Sequence, residues 1–277
     1  MKSFSELDLK IKEMAKRIKE LREIEGLAKK GFKEVVLTGI HLSSFGRDLN
    51  EEKLPMLKEL IVEAGKIPGI KRIRLGSLEP NIITEDFLKA VSSCEAFCPH
   101  FHLSMQSGSD ATLKRMNRHY TAEEYFEKCE LIRKYFEHAA ITTDVIAGFP
   151  GETEEEFEET LAFVKRVGFA EMHVFKYSRR KGTKADTMKN QVPDAVKTER
   201  SKKLMEIAEA SQREYLSWYV GKEVEILTED QVSVDGKAKR DGHTKTYVKC
   251  ICDCDRANEL VKRKVVAVSE EKTLITV

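Results

Sequence analysis

The sequence predicts an α/β fold, in which helices alternate with the strands of a parallel sheet, followed by a small all-β barrel. Apolar residues recur at spacings of three and four in several charged segments, which is typical of amphipathic helices. Short apolar runs of strand length separate these segments. From about residue 219 onward the helical spacing stops, and short strand-like runs follow one another. The 277 residues suffice for one sizeable core and a small appended domain.

An amphipathic helix is predicted at the start of the chain, over about residues 5–30. Gly31 follows it and can adopt the left-handed conformation that ends many helices. The apolar residues on one face of this helix are Leu7, Ile11, Met14, Ile18 and Leu21. We expect the helix to cover the edge of the sheet that follows, because an exposed edge strand invites unwanted pairing.

Five strands are predicted, and each follows a helical segment: KEVVLTGI, IKRIRLGSL, HFHLSMQ, AITTDVIAGF and EMHVFKYS. Since helices connect successive strands, the strands are predicted to run parallel. The carboxyl ends of parallel strands share one edge of the sheet, where functional residues gather. The residues expected at these ends are Thr38, Gly39, Ser77, Glu79, Gln106, Ser107, Asp144, Gly148, Tyr177 and Ser178.

Two of the later helices begin with the sequence signature of a capping box, in which a threonine pairs with a glutamate three residues onward. The pairs are Thr121 with Glu124 and Thr153 with Glu156. The acidic segment GETEEEFEE is therefore interpreted as a helix start, favoured by the helix dipole, rather than as a metal site.

A domain boundary is predicted after a long helix that ends near Trp218. Residues 1–218 are assigned to a partial α/β barrel, with residues 1–30 as its N-terminal helix, and residues 219–277 to a small β-barrel. The predicted strands of this second domain are EVEILTE, KTYVKCIC, ELVKRKVVAV and TLITV.

The charge of the chain is balanced, with a formal net value of +1, so bulk electrostatics does not indicate a polyanionic partner. Two local basic segments could still contact RNA phosphates, and in the second a tyrosine could stack on a base. The residues concerned are Arg179, Arg180, Lys181 and Lys184, then Lys237, Lys239, Arg240, Tyr247 and Lys249. A solvated loop and a solvated hairpin are the respective alternatives.

The six cysteines are interpreted as reduced thiols. Cys94 and Cys98 have the spacing CxxxC, but the next ligand position is occupied by Phe101. Cys129 falls in an apolar helical pattern and is assigned to the core. Three further cysteines alternate along a strand-like run and are expected to form a solvent-shielded group: Cys250, Cys252 and Cys254.

No metal site is predicted from the seven histidines, because none makes a convincing spacing pair. His100 and His102 alternate on one strand and could both face the barrel interior, but satisfied core histidines are favoured. The sequence has no run long enough to span a bilayer and no signal peptide, so a cytoplasmic protein without membrane contact is expected.

Five ordered segments give the chain a specific resemblance: KEVVLTGIHLSSFGRDL, RIRLGSLEP, HFHLSMQSGSDATLKRMNRHYT, TTDVIAGFPGETEEEF and HVFKYSRRKGTKA. Together they resemble the radical S-adenosylmethionine methylthiotransferases, and the tail resembles the TRAM domain of that family. SLEP and HVFKYSRRKGTKA resemble the branch that acts on N6-threonylcarbamoyladenosine beside the tRNA anticodon. Related branches act on isopentenyladenosine or on a ribosomal protein, and these remain alternatives.

The resemblance implies a partial TIM-like radical SAM barrel that lacks its first strand, followed by an OB-like TRAM barrel. It implies S-adenosylmethionine as cofactor, 4Fe–4S clusters in the family, and the tRNA anticodon stem-loop as partner of a monomeric chain. Sulfur and electron donors stay unidentified. The positions that match cofactor-binding positions of the family are Thr38, Gly39, Ser77, Glu79, Gln106, Ser107, Arg118, Asp144 and Gly148. A surface ion pair for Arg118 and a polar group bonded within the sheet for Asp144 are the alternatives.

The sequence departs from the family in one respect, because no CxxxCxxC triplet occurs in residues 1–277. Three thiolates at that spacing hold the cluster that radical SAM enzymes use. We therefore expect a truncated or engineered chain without this cluster, whose autonomous activity is in doubt. The alternative function is a non-catalytic fragment that binds tRNA or a protein partner.

Overall fold

The computed structural model describes residues 19–39, 42–46, 56–234 and 236–277. Contacts divide the chain into two units. One comprises the residues before His102 together with Leu131–Ala139, and the other comprises His102–Glu130 and Ala140–Val277. No helix in these described ranges is long and apolar enough to cross a membrane.

The first unit contains the first two predicted strands, which pair in parallel with Val35 opposite Ile73. The described part of the predicted N-terminal helix, α1, covers residues 19–29 and is helical as expected; residues 5–18 of that prediction lie outside the described residues. The other elements of this unit are β1 (Glu34–Leu37), a 3-10 turn (Leu42–Ser44), α2 (Leu57–Ala64), β2 (Arg72–Leu75), a 3-10 turn (Pro80–Ile82) and α3 (Glu85–Ser92).

Two arginines of β2 are buried in this unit, which the sequence analysis did not predict. Arg74 donates from Nε to Oε1 of Glu34 at 2.8 Å, and Arg72 Nη1 lies 3.8 Å from Oε2 of the same carboxylate. A buried cation is tolerated when a carboxylate partner replaces its hydration. Glu34 on β1 thus ties the two strands together through side chains as well as through the backbone.

The second unit is built on the remaining predicted strands, which form one sheet in the order β3-β4-β5. Asp144 of β4 stands opposite His173 of β5 in the parallel register. The long helix α8 contacts both β5 and β4. The elements from β3 onward are β3 (His100–His102), α4 (Asp110–Arg115), α5 (Ala122–Tyr135), β4 (Ala140–Ala147), α6 (Glu154–Val167), β5 (Glu171–Lys176), α7 (Lys184–Thr187) and α8 (Asp194–Ser217). His100 and Phe101 of β3 and residues 131–135 of α5 belong to the first unit.

Both predicted capping boxes are confirmed. Thr153 accepts from the backbone N–H of Glu156, whose carboxylate accepts from the backbone N–H of Thr153. Thr121 and Glu124 make the same reciprocal pair, at 2.7 Å and 3.1 Å. The acidic segment after Gly151 is accordingly the first turn of α6, as expected.

The tail of the second unit is a closed barrel with the strand order β10-β8-β7-β6-β9. Its strands are β6 (Glu223–Val234), β7 (Lys237–His243), β8 (Lys249–Cys252), β9 (Leu260–Val268) and β10 (Leu274–Thr276). Its core side chains include Val224, Ile226, Cys250, Cys252, Val265 and Leu274, joined by Leu216 and Tyr219 from the end of α8 and the turn after it.

The barrel corrects three details of the sequence analysis. β7 was not predicted, because its residues show no apolar alternation; Gly242 allows it to approach β6, since a Cβ there would overlap the carbonyl of Leu227. The predicted strand KTYVKCIC begins only at Lys249, because a turn precedes it in which the N–H of Tyr247 donates to Thr244. Cys254 lies beyond β8 and is half-buried rather than shielded.

Candidate functional site

Three side chains that can bind protons or metals converge on one face of the β3-β4-β5 sheet. His102 Nε2 lies 3.4 Å from Asp144 Oδ2, and the rings of His102 and His173 are 6.0 Å apart. The nearest ligand atoms of all three lie within 4.8 Å of one another. This face is accessible, since the Asp144 side chain is 31% exposed and His173 is exposed. Asp144 and His102 stood out in the sequence, but their grouping with His173 was not predicted.

His102 is held by a neighbour on the same sheet. Its Nδ1 lies 2.9 Å from the hydroxyl oxygen of Thr142, which is buried. This contact fixes the plane of the imidazole ring and directs Nε2 towards Asp144.

Gln106 follows β3 at the carboxyl edge of the sheet. Its N–H donates to the carbonyl of Asp144 at 2.9 Å, and its own carbonyl accepts from Ile146 at 2.9 Å. Between these bonds the backbone of Gln106 is left-handed, with φ of 72°. A non-glycine residue in this conformation costs on the order of 1 kcal/mol and is frequent at functional sites. The structure thus brings Gln106 beside Asp144, although Asp144 lies within β4 and not at its carboxyl end as predicted.

The side chain of Ser107 has its partners within the protein. Its hydroxyl is buried, lies 3.2 Å from that of Thr160 on α6, and accepts from the N–H of Ser109. Gly108 packs on the same helix, where a Cβ would come within 2.7 Å of Phe163. This turn therefore anchors the strand end to α6, and Ser107 has an internal partner.

Gly148 begins the turn after β4 and has φ of 74°. Its N–H donates to Glu152 Oε1 at 3.1 Å, and a Cβ would overlap the side chain of Lys197 on α8. Glycine is thus required by the backbone conformation and by helix packing. Burial raises the pKa of Glu152, and the charge of Arg200 partly offsets this rise.

The candidate residues of the first unit lie at the carboxyl ends of β1 and β2. Gly76 donates to the carbonyl of Leu37 at 2.8 Å, which extends the pairing into the segments that hold Thr38 and Ser77. Glu79 donates from its backbone to Ser43 Oγ at 2.8 Å. The side chains of Thr38, Ser77 and Glu79 are exposed, and so is Gly39. Their assignment to cofactor binding stays a prediction.

The predicted basic loop after β5 is exposed. Arg179 is held by Asp186, with Nε 3.0 Å from Oδ1, which leaves its guanidinium only partly available. Arg180, Lys181 and Lys184 are exposed, whereas Arg118 of the cofactor prediction is half-buried in the turn after α4.

On the β-barrel, Tyr247 is 51% exposed and stacks on His243, with ring centroids 4.6 Å apart. The neighbouring basic residues are largely compensated. Arg240 donates to the backbone carbonyls of Glu229 and Asp255. Two lysines pair with carboxylates, Lys239 with Asp253 at 3.5 Å and Lys249 with Asp241 at 3.0 Å, and Lys237 is exposed.

The cysteines do not fit a 4Fe–4S cluster. All six are described, none is in a disulfide, and they lie in separate elements: Cys94 and Cys98 follow α3, Cys129 lies in α5, and the others lie in or after β8. Cys250 and Cys252 are packed in the core of the β-barrel. Within the described residues, the group with suitable geometry for a metal is His102, Asp144 and His173 rather than a set of thiols.

Comparison with known proteins agrees with this architecture. Residues 9–164, more than half of the chain, match the family model described as the Radical SAM superfamily. The chain is similar to the tRNA-2-methylthio-N(6)-dimethylallyladenosine synthase of Clostridium tetani, with 40% identity over 246 residues that cover 88% of this chain and 54% of the relative. It is also similar to the threonylcarbamoyladenosine tRNA methylthiotransferase MtaB of Bacillus subtilis, with 37% identity over 249 residues, 88% of this chain and 54% of the relative.

Among solved structures, coproporphyrinogen III oxidase (HemN) from Escherichia coli matches with a TM-score of 0.52 and 18% identity, covering 71% of this chain and 46% of that one. This likeness supports the fold alone. The chain spans about half the length of the curated relatives it matches. From the family model and these relatives, the chain belongs to the radical SAM superfamily and, within it, to the methylthiotransferase family.

Proposed function

We propose that this chain is the barrel and TRAM part of a tRNA methylthiotransferase that modifies an N6-substituted adenosine beside the anticodon. The names of its relatives carry the proposal, together with the accessible polar face around Asp144. Residues 1–218 would bind cofactor and nucleoside, and residues 219–277 would contact RNA. We also propose a cytoplasmic location and a monomeric chain.

S-adenosylmethionine would be held by the residues at the carboxyl ends of the strands. Carboxylates and amides suit its ribose hydroxyls and its amino group, and Gln106 and Asp144 supply both kinds of group from one sheet edge. The chemistry that S-adenosylmethionine would supply to the family reaction is the removal of a hydrogen atom from the substrate. Thr38, Gly39, Ser77, Glu79, Arg118 and Gly148 remain candidates for further contacts.

The cysteines of residues 1–277 do not fit a 4Fe–4S cluster. We expect anaerobic iron–sulfur reconstitution of this chain to give no stoichiometric 4Fe–4S absorbance or EPR signal. A well-formed cluster in this preparation would contradict that expectation.

For the substrate, we propose N6-threonylcarbamoyladenosine, on the basis of SLEP and HVFKYSRRKGTKA. A dimethylallyl substituent is the competing choice, because relatives of that kind are at least as similar. The two differ physically, since a threonylcarbamoyl group carries a carboxylate that basic side chains can bind, whereas a dimethylallyl group is apolar.

The test measures the affinity of the 277-residue chain for anticodon stem-loop RNAs that carry unmodified, threonylcarbamoyl or dimethylallyl adenosine. We expect the threonylcarbamoyl RNA to bind most tightly. Every affinity should fall with added salt, since the proposed contacts of the basic residues are to phosphates. Equal binding of all three RNAs would reject the substrate assignment.

Equilibrium dialysis with S-adenosylmethionine tests the cofactor site. Asp144→Asn should weaken binding, whereas Glu123→Gln, in an exposed ion pair with Arg166, serves as control. Binding of tRNA without any binding of S-adenosylmethionine would instead favour a non-catalytic RNA-binding fragment.

A further inference from the structure

We propose that His102, Asp144 and His173 form a binding site for one divalent transition-metal ion. Two imidazoles and one carboxylate are a donor set that Zn²⁺, Fe²⁺ and related ions accept. The site goes beyond the proposed methylthiotransferase function, and no thiol takes part in it.

The distances favour a shared ion over a direct hydrogen bond. His102 Nε2 and Asp144 Oδ2 are 3.4 Å apart, beyond the usual range for a nitrogen–oxygen hydrogen bond. Two ligands of one tetrahedral Zn²⁺, at bond lengths of about 2.0–2.1 Å, lie roughly 3.3 Å apart. His173 supplies the third donor. Its ligand nitrogen lies within 4.8 Å of the ligand atoms of His102 and Asp144, and its exposed ring can turn to bring this nitrogen closer.

The three donors stand on strands rather than on loops. Asp144 and His173 are register partners on β4 and β5, and His102 ends β3 in the same sheet. Hydrogen bonds of the sheet therefore fix the Cα positions before any ion binds. A site built on strands loses less entropy on binding than one on mobile loops.

Thr142 supplies support of the kind that metal-binding histidines usually have. A ligating imidazole commonly donates its second N–H to an oxygen atom, which fixes the tautomer. His102 has such an oxygen, because its Nδ1 lies 2.9 Å from Thr142 Oγ1. With the proton on Nδ1, the lone pair of Nε2 faces Asp144 and is available to the ion.

A second histidine–carboxylate pair in the chain lacks these features. His243 Nδ1 lies 2.9 Å from Glu229 Oε1, within hydrogen-bond range, and the ring stacks on Tyr247. No third donor within the described residues joins this pair. Its two atoms are close enough for a direct hydrogen bond, so the pair provides an internal control.

With three protein ligands and an accessible face, the ion would keep open coordination positions. Sites of this kind bind water or a substrate oxygen, unlike closed structural sites. Asp144 is also a proposed contact of S-adenosylmethionine, so the ion and the cofactor would compete for it. Metal binding is therefore measured without the cofactor, and its failure would leave the proposed function standing.

The experiment titrates the chelator-treated 277-residue chain with Co²⁺ as a spectroscopic probe and with Zn²⁺ in competition. We expect one equivalent to bind, with ligand-field bands of nitrogen and oxygen donors and no thiolate charge-transfer band. Asp144→Asn and His173→Gln should each weaken binding at least tenfold. Thr142→Val should weaken it roughly 10–100-fold with the stoichiometry kept.

His243→Gln is the matched control and should leave the affinity unchanged. Since His173 is exposed, His173→Gln should fold even if the Asp144 variant does not, and circular dichroism checks both. The proposal is overturned by the absence of stoichiometric binding, by thiolate bands, or by a His173→Gln affinity equal to that of the unsubstituted chain.

Discussion

Arg200 on α8 and Glu152 in the turn after β4 form a buried ion pair, with Nη1 2.7 Å from Oε1. Their side chains are 7% and 2% exposed. Arg200 also donates to the backbone carbonyl of Glu152 and to Glu154. Because Glu152 in turn accepts from Gly148, one arginine fixes the turn that adjoins the candidate site.

Replacement of Arg200 by leucine should destabilise the chain by about 3–5 kcal/mol, because the carboxylate of Glu152 is left buried without its counter-charge. Urea denaturation measures this loss. Arg213→Ala, which breaks an exposed pair with Glu209 on the same helix, is the control and should cost less than about 1 kcal/mol. Equal losses of unfolding free energy in the two variants would show that the buried pair stabilises the fold no more than the exposed pair does.

Gly148→Ala should be destabilising for two separable reasons. The left-handed backbone costs a non-glycine residue about 1 kcal/mol, and the new Cβ would overlap Lys197. Gly168 also has positive φ, 64°, but nothing lies within 4 Å of a Cβ there. Gly168→Ala therefore reports the conformational cost alone. Thermal unfolding should show a larger loss for Gly148→Ala, and identical losses would exclude the steric contribution.

Much of the fold could be predicted, because amphipathic spacing marks the helices and apolar runs mark the five strands. β7 could not be predicted, since Lys237–His243 has no apolar alternation. Pairing with β6 and β8 within the closed barrel holds this strand. At the site, Gln106 and Asp144 were candidates because the sequence pattern placed both at strand ends, and their roles stay predictions. In the structure Asp144 lies within β4 (Ala140–Ala147) rather than at its end. His173 was missed because strand register is not readable from one sequence. The partnership of Arg200 and Glu152 joins residues 48 positions apart, and local patterns carry no signal for it.

The stability of the chain in acid should depend on Glu156. Hydrogen bonds from Arg115 hold the pKa of this carboxyl below its ordinary value of 4.5. A lowered folded-state pKa stabilises the fold above the unfolded pKa, and the contribution is lost as pH falls through the folded value. Glutamine keeps an oxygen that can accept from the N–H of Thr153. Glu156→Gln therefore removes mainly the charge that faces Arg115 and should cost about 1 kcal/mol near neutral pH.

The difference in urea midpoint between Glu156→Gln and the unsubstituted chain should then narrow as the pH falls below 4.5. Urea denaturation at several pH values measures this difference. Glu85→Gln is the control, because that carboxylate pairs with Lys134 at an exposed position. A difference in urea midpoint that stays constant with pH would show that the charge of Glu156 does not stabilise the fold.

Tyr247 is expected to contribute to RNA binding through its ring. It is held in a left-handed turn, with φ of 66°, and stacked on His243, so one face is covered while about half of the side chain remains exposed. An aromatic ring that is already ordered can stack on a base at little entropic cost, and each such contact contributes roughly 1–3 kcal/mol. Tyr247→Ala should weaken binding of the anticodon stem-loop by that amount in fluorescence anisotropy. Tyr247→Phe keeps the ring and should bind normally, whereas a loss equal to that of the alanine variant would assign the effect to the hydroxyl instead of to stacking.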